Sequence, residues 1–233
     1  MKMKRSEKLG MFTGLVVGVL LLLISVFMIF QTTCKVWGAE KPANATQQGI
    51  DVSSHQGKID WEQVKNSALA DYAIIRCGYG VNQTDKDDKY WDYNSSECER
   101  LGIPYGTYLY SGADTTAKAK SEAEHVVRLL QGKNLTYPIY YDMEADMLNQ
   151  LSSTQIGNIA KTFLNTMESY GYKNVAVYSN KYLFETKLTA SVFSDYPKWI
   201  AQHSNKCTYQ GSYHMWQYST QGVIPGIFRK SLI

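Results

Sequence analysis

Cysteine, histidine, proline and charge of one sign are all scarce in this chain of 233 residues, and each shortage excludes something. Four cysteines are too few for a scaffold held by disulfides. Cys34 adjoins an apolar run, and Cys77, Cys98 and Cys207 have neither the spacing of a zinc site nor that of a redox pair, so no chemistry is assigned to them. Four histidines stand at no ligand spacing with any acid, which argues against a metal centre. No glycine-rich phosphate loop follows the first β-rich run, where a nucleotide-binding sheet would carry one. Long hydrophobic runs are missing too, with one exception, so a multi-span membrane protein is ruled out.

That exception runs from Leu9 to Cys34 without a charge, and 16 of the 20 residues in 11–30 are apolar. Twenty helical residues rise about 30 Å, the depth of a bilayer's hydrocarbon core. Lys2, Lys4, Arg5 and Lys8 precede the run against a single acid, Glu7, so the amino terminus is expected in the cytoplasm and the rest outside it. The expected organisation is a basic cytoplasmic stretch at 1–10, a transmembrane helix or signal sequence at 11–30, a linker at 31–47 and one extracytoplasmic domain at 48–233. A cleavable signal peptide is the alternative, which would make the domain secreted.

The formal charge of +3 belongs to that export segment. Residues 1–38 hold five of the 24 basic and one of the 21 acidic side chains, which leaves 19 against 20 in the remainder. A near-neutral domain gives no electrostatic reason to expect nucleic-acid binding.

Beyond the linker, β-rich runs recur at 50–53, 72–77, 105–110, 138–141, 174–179, 198–201 and 214–218, separated by helical patterns at 61–67, 93–101, 116–130 and 154–170. In the third helix Ala119, Ala123, Val126, Val127 and Leu130 share one face, while Lys118, Lys120, Glu122 and Glu124 fall largely off it. Alternation of strand and helix predicts an α/β fold with a mostly parallel sheet, and seven strands in so short a span point to a modified (β/α) barrel, although an open doubly wound sheet has a similar pattern. In barrels, reactive groups gather where strands end.

One strand end is unusually acidic. Tyr140-Tyr141-Asp142-Met143-Glu144 puts two carboxyl groups two positions apart, hence on one face of the strand. Sharing a desolvated pocket raises the pKa of at least one of them, the condition for a proton donor near neutral pH and for glycoside hydrolysis by a carboxylate pair. Asp51 lies inside the first β-rich run, where a carboxylate is costly unless it faces a polar cavity. His55, close by, reads as a hydrogen-bonding or packing residue. Among 18 tyrosines and five tryptophans, Tyr79, Tyr108, Tyr110, Tyr140, Trp199 and Trp216 end candidate strands, where flat rings with a polar edge suit a sugar.

Asp51-Val52-Ser53-x-x-Gln56-Gly57, Ile74-Ile75-Arg76-x-Gly78-Tyr79-Gly80, Gly102-Ile103-Pro104-Tyr105-Gly106, Tyr141-Asp142-x-Glu144 and Trp216-Gln217-Tyr218 follow one another as they do in glycoside hydrolase family 25. The chain strongly resembles these lysozymes, or N-acetylmuramidases, over about residues 48–226. The resemblance implies an irregular β/α barrel without metal or organic cofactor. It also implies peptidoglycan glycan strands as the partner, cleaved at the β-1,4 bond between N-acetylmuramic acid and N-acetylglucosamine. Glu144 looks like the proton donor, Asp142 like the second carboxylate and Asp51 like the acid of the first strand. Tyr79, Tyr108, Tyr140, Trp199, Trp216 and Gln217 are the expected substrate contacts. Family members continue after Trp-Gln-Tyr with a hairpin and a last strand carrying Asp-x-Asn, whereas this chain reads Gly222-Val223-Ile224-Pro225-Gly226-Ile227. A barrel without its closing strand is therefore expected, and with it either an active muramidase or a wall-binding protein that no longer turns over.

Overall fold

The computed structural model describes residues 44–228; the expected membrane segment at 11–30 and most of the linker lie outside the described residues. No helix among the described residues is long and apolar enough to cross a membrane.

Seven short runs rich in β-branched and aromatic residues form strands: β1 (Gly49–Val52), β2 (Tyr72–Tyr79), β3 (Tyr105–Tyr110), β4 (Ile139–Asp142), β5 (Val175–Asn180), β6 (Lys198–Ala201) and β7 (Met215–Gln217). They pair in parallel, each with its predecessor in the chain, so that spatial order equals sequence order. Parallel neighbours need a crossover, and the intervening helices supply it. These are α1 (Trp61–Ser67), α2 (Trp91–Leu101), α3 (Thr116–Leu129), α4 (Ser153–Ser169), α5 (Lys181–Thr186) and α6 (Val192–Asp195). The result is a curled parallel sheet, an α/β half-barrel, as the alternating pattern predicts. The two short helices after β5 were not legible in that pattern, being about one turn each with little periodicity to read.

Local chemistry sets the helix starts. The side chains of Asp60, Thr115 and Asn180 accept from backbone N–H groups of the first turns of α1, α3 and α5. Ser152 and Gln155 cap one another at α4, each satisfying a backbone donor that the helix itself leaves unpaired.

Strand register sorts the core into two faces. Ile74 pairs with Gly106, Tyr108 with Tyr140, Tyr140 with Ala176, Tyr178 with Trp199 and Trp199 with Met215. These positions point into the curl, where Ile74, Tyr108, Tyr140, Ala176, Tyr178, Trp199 and Ala201 form one buried cluster. The alternate set, Ile75, Leu109, Tyr141, Val177 and Ile200, is equally buried under the helices, with Tyr141 stacked on Phe163 of α4 at 3.9 Å. A sheet buried on both faces is what near-continuous apolar runs encode.

One helix face differs from its reading. Glu122 of α3 is not on the solvent side but fully buried. Its Oε2 accepts from Tyr141 Oη at 2.6 Å and Ser111 Oγ at 2.9 Å, and its Oε1 from Gly112 N at 2.7 Å. Three donors take the place of water, so helical periodicity alone misplaces this residue.

β1 and β7 are the outer strands and share no ladder among the described residues. Side chains and a turn bridge the seam between them. Gln217 Nε2 donates to Asp51 Oδ2 at 3.0 Å, Gln48 Nε2 to Tyr218 Oη at 2.9 Å, and Asp60 N to Gly226 O at 2.9 Å.

Candidate active site

Strands of a parallel sheet deliver their carboxyl ends to one side, and here that side holds a cavity of about 480 Å³. Asp51, His55, Arg76, Tyr79, Tyr108, Tyr110, Asp142, Glu144, Tyr178, Trp199 and Gln217 line it. Strand parity explains most of this set. Tyr110 and Tyr178 are the register partners of Asp142 on its two sides, and Arg76 is the partner of Tyr108. Tyr79 arrives by another route: β2 slips by one residue between Arg76 and Gly78, which brings Tyr79 opposite Tyr110 and onto the inner face. Gly78 makes the slip possible, because a Cβ there would lie 2.9 Å from the His125 ring.

Asp142 ends β4 with 3% of its surface exposed, and Glu144 follows it at the rim. Burial, then the charges of Glu144 and Asp51, push Asp142 well above the usual carboxylate range, and the Arg76 guanidinium offsets this only in part. Asp142 Oδ1 is also one of two buried side-chain polar atoms among the described residues with no hydrogen-bond partner. An ionised oxygen in that position is costly, which fits a protonated acid or one awaiting a donor from a ligand. Burial raises Glu144 as well, held back chiefly by the His203 ring. Asp51 stands at about 7, raised by burial and by Glu144 and restrained by its hydrogen bond from Gln217.

A cation flanks the acids. Arg76 Nε donates to Asp88 Oδ2 at 2.8 Å and Nη2 to Ser54 Oγ at 2.9 Å, which fixes the guanidinium plane against the turn after β1. Asp88 also accepts from Ser54 N and Tyr90 N, so both of its oxygens are hydrogen-bonded.

Seven of the nine expected residues meet in this cavity: Asp51, Asp142, Glu144, Tyr79, Tyr108, Trp199 and Gln217. Two do not. Tyr140 lies one inward position deeper on β4, fully buried, with its ring 5.0 Å from Trp199 and its hydroxyl 2.8 Å from His214 Nε2, ahead of β7 and away from the strand ends. Trp216 has the opposite parity on β7: it pairs with outward Ile200, and its indole donates to Gln202 O at 2.9 Å. Tyr110, read from the sequence as a strand-end ring that suits a sugar, lies in the cavity too, and Arg76, Tyr178 and His55 join it from outside the expected set. For Arg76 and Tyr178 the signal was inner-face parity, which needs the register and cannot be read from one strand alone.

A curled parallel sheet that gathers three acids at its carboxyl end, each raised by burial, defines a barrel-type α/β domain with a carboxyl-lined cavity. The chain belongs to glycosyl hydrolase family 25, whose profile it matches over residues 50–227. It is 29% identical over 181 residues to the autolytic lysozyme of Clostridium acetobutylicum, covering 77% of this chain and 52% of that one. Among solved structures it is similar to the modular autolysin LytC of Streptococcus pneumoniae, with 33% identity and a TM-score of 0.72 over 80% of this chain and 45% of that one. That autolysin has also been solved with a synthetic peptidoglycan ligand. A family 25 hydrolase from Bacillus anthracis shares the fold at 20% identity and a TM-score of 0.71, over 85% of this chain and 90% of that one. The chain thus spans about half the length of the Clostridium lysozyme and of LytC.

Proposed function

We propose that this protein is a muramidase that hydrolyses the β-1,4 bond between N-acetylmuramic acid and N-acetylglucosamine in bacterial peptidoglycan. The observation that carries the reading is the cluster of Asp51, Asp142 and Glu144 in one cavity within the family 25 region. The lysozyme and autolysin names of its relatives favour peptidoglycan over other N-acetylated polysaccharides.

Glu144, at the rim and with its pKa raised by burial, is the acid that gives a proton to the departing glycosidic oxygen. Asp142, facing the same space with an unpaired oxygen, receives the sugar's 2-acetamido N–H or balances the positive charge that grows at the anomeric carbon. Asp51 adds negative charge to that balance when it ionises, at about pH 7. Tyr79, Tyr108, Tyr110 and Trp199 supply flat walls for the rings of the glycan. The apolar run at 11–30 holds the domain at the outer face of the membrane, so cutting is confined to nearby wall.

The test is mass spectrometry of products released from purified cell walls. The full chain is expected to release muropeptides with new reducing ends at muramic acid, and Glu144→Gln to reduce that release by about 10²-fold or more. Wall binding without new reducing ends in the unmutated protein would instead identify a non-catalytic wall-binding protein, and release from chitin alone would move the substrate.

A further inference from the structure

Gln217 closes β7 beside the seam with β1, and only 1% of its surface is exposed. A buried amide has two orientations, related by exchanging its oxygen and nitrogen, and the neighbours decide between them. The amide nitrogen donates to Asp51 Oδ2 at 3.0 Å, the orientation required once Asp51 is ionised and only accepts. The amide oxygen then faces two groups that must donate: Tyr178 Oη at 3.0 Å and His203 Nε2 at 2.8 Å. The reversed amide would set a carbonyl against a carboxylate, a contact with no shared proton. Both lone pairs of Gln217 Oε1 and one of its N–H groups are therefore committed inside the protein.

We propose that Gln217, clamped by Tyr178 and His203, is a positioning residue that aims the Asp51 carboxyl group into the cavity and favours its ionised form against burial. Its place in catalysis rests on the muramidase reading above, whereas the hydrogen-bond chain itself does not. The donated hydrogen bond is the strongest influence opposing the burial of Asp51. The other titratable groups around Asp51 are Tyr72 and Arg76 on β2, Tyr108 on β3, Asp142 and Glu144 at the end of β4, and Tyr178 on β5. Apart from Arg76, all of these are neutral or negative near pH 7 and none donates to Asp51 in place of Gln217. The chain also spans the seam: it links β5, the loop after β6, β7 and β1, where backbone pairing is missing.

The test follows the Asp51 carboxyl carbon by NMR during pH titration of the full chain, a readout that needs no catalytic activity. Gln217→Met keeps the side chain's length and removes the donor, and is expected to move the Asp51 titration upward by about one pH unit. His203→Leu, at an exposed rim position, is expected to move it the same way by less, because Tyr178 still holds the amide oxygen. Asp60, which caps α1 far from the chain, stays put in both. An Asp51 titration that is unchanged or lowered in Gln217→Met overturns the proposal; if that variant does not fold, His203→Leu decides by the same criterion. A chain that shows the shift yet releases no muropeptides retains the clamp and loses the muramidase reading, so the two failures are distinguishable.

Discussion

Asp51 holds its proton up to about pH 7 in the folded chain, against 3.8 for the free side chain. Below 3.8 both folded and unfolded chains are protonated here, and the group does not discriminate between them. Between 3.8 and about 7 the folded chain keeps the proton that the unfolded chain has lost, so each rise in pH removes stability until Asp51 ionises in place. Asp142 and Glu144 are shifted in the same direction and act with the same sign. Thermal melts across pH 4–8 check this through a difference: the loss of Tm from acid to neutral pH is expected to be smaller in Asp51→Asn than in the unmutated protein. Equal slopes would remove the cavity as a source of pH dependence. The acids themselves were legible as a strand-end pair and an out-of-place carboxylate, because period-two alternation is local. Tyr140 and Trp216 were misplaced for the same reason seen from the other side. Which aromatic is inward, and how deep, depends on neighbouring strands tens of residues away and on the slip in β2.

At the scale of elements, α3 braces two loops at once. Glu122 holds Ser111 and Gly112 after β3, and Ser111 N in turn donates to the backbone oxygen of Asp142 at 2.9 Å. One turn further, His125 Nε2 lies 2.7 Å from Asp87 Oδ1 and its Nδ1 3.0 Å from Gly80 O, and Arg128 Nη1 and Nη2 close on Asp87 at 2.9 and 2.6 Å. The loop after β2, which follows directly on Tyr79, is thereby tied to the same helix that steadies Asp142. Glu122→Leu strands three buried donors, each at a cost of about 1–3 kcal/mol, and the expected fall in Tm is roughly 10 °C or more. Lys120→Ala, which removes an exposed ion pair of 3.9 Å with Glu124, is expected to shift Tm by about 1 °C at most. Equal effects of the two substitutions would contradict the brace. The existence of α3 was plain from its apolar stripe; its polar underside was not, since a buried carboxylate and an exposed one have the same period.

The whole domain is held across its seam by contacts that no repeat pattern announces. The segment after β7 buries Ile224 and Ile227 and brings Gly226 onto the start of α1, at a φ of +92°. A Cβ at Gly226 would lie 2.3 Å from Asp60 O, so Gly226→Ala is both strained and obstructed. A loss of about 1–3 kcal/mol is expected, a fall of several degrees in Tm. An unchanged melt would mean that the turn does not fasten the seam. Among the described residues β1 and β7 stand unpaired with each other. What the sequence did not reveal is that Gln217, Gln48 and Gly226 bridge the opening.

Because spatial order equals chain order, every strand docks on the strand synthesised just before it, and the sheet can be laid down in the sequence of translation or export. Asp51 belongs to the first strand and Gln217 to the last of the seven, 166 residues apart. A partly emerged chain therefore possesses Asp51, Asp142 and Glu144 long before the amide that sets Asp51 can arrive. The docking of β7 is thus the step that delivers the amide, so a chain stalled at six strands would carry its three acids without it.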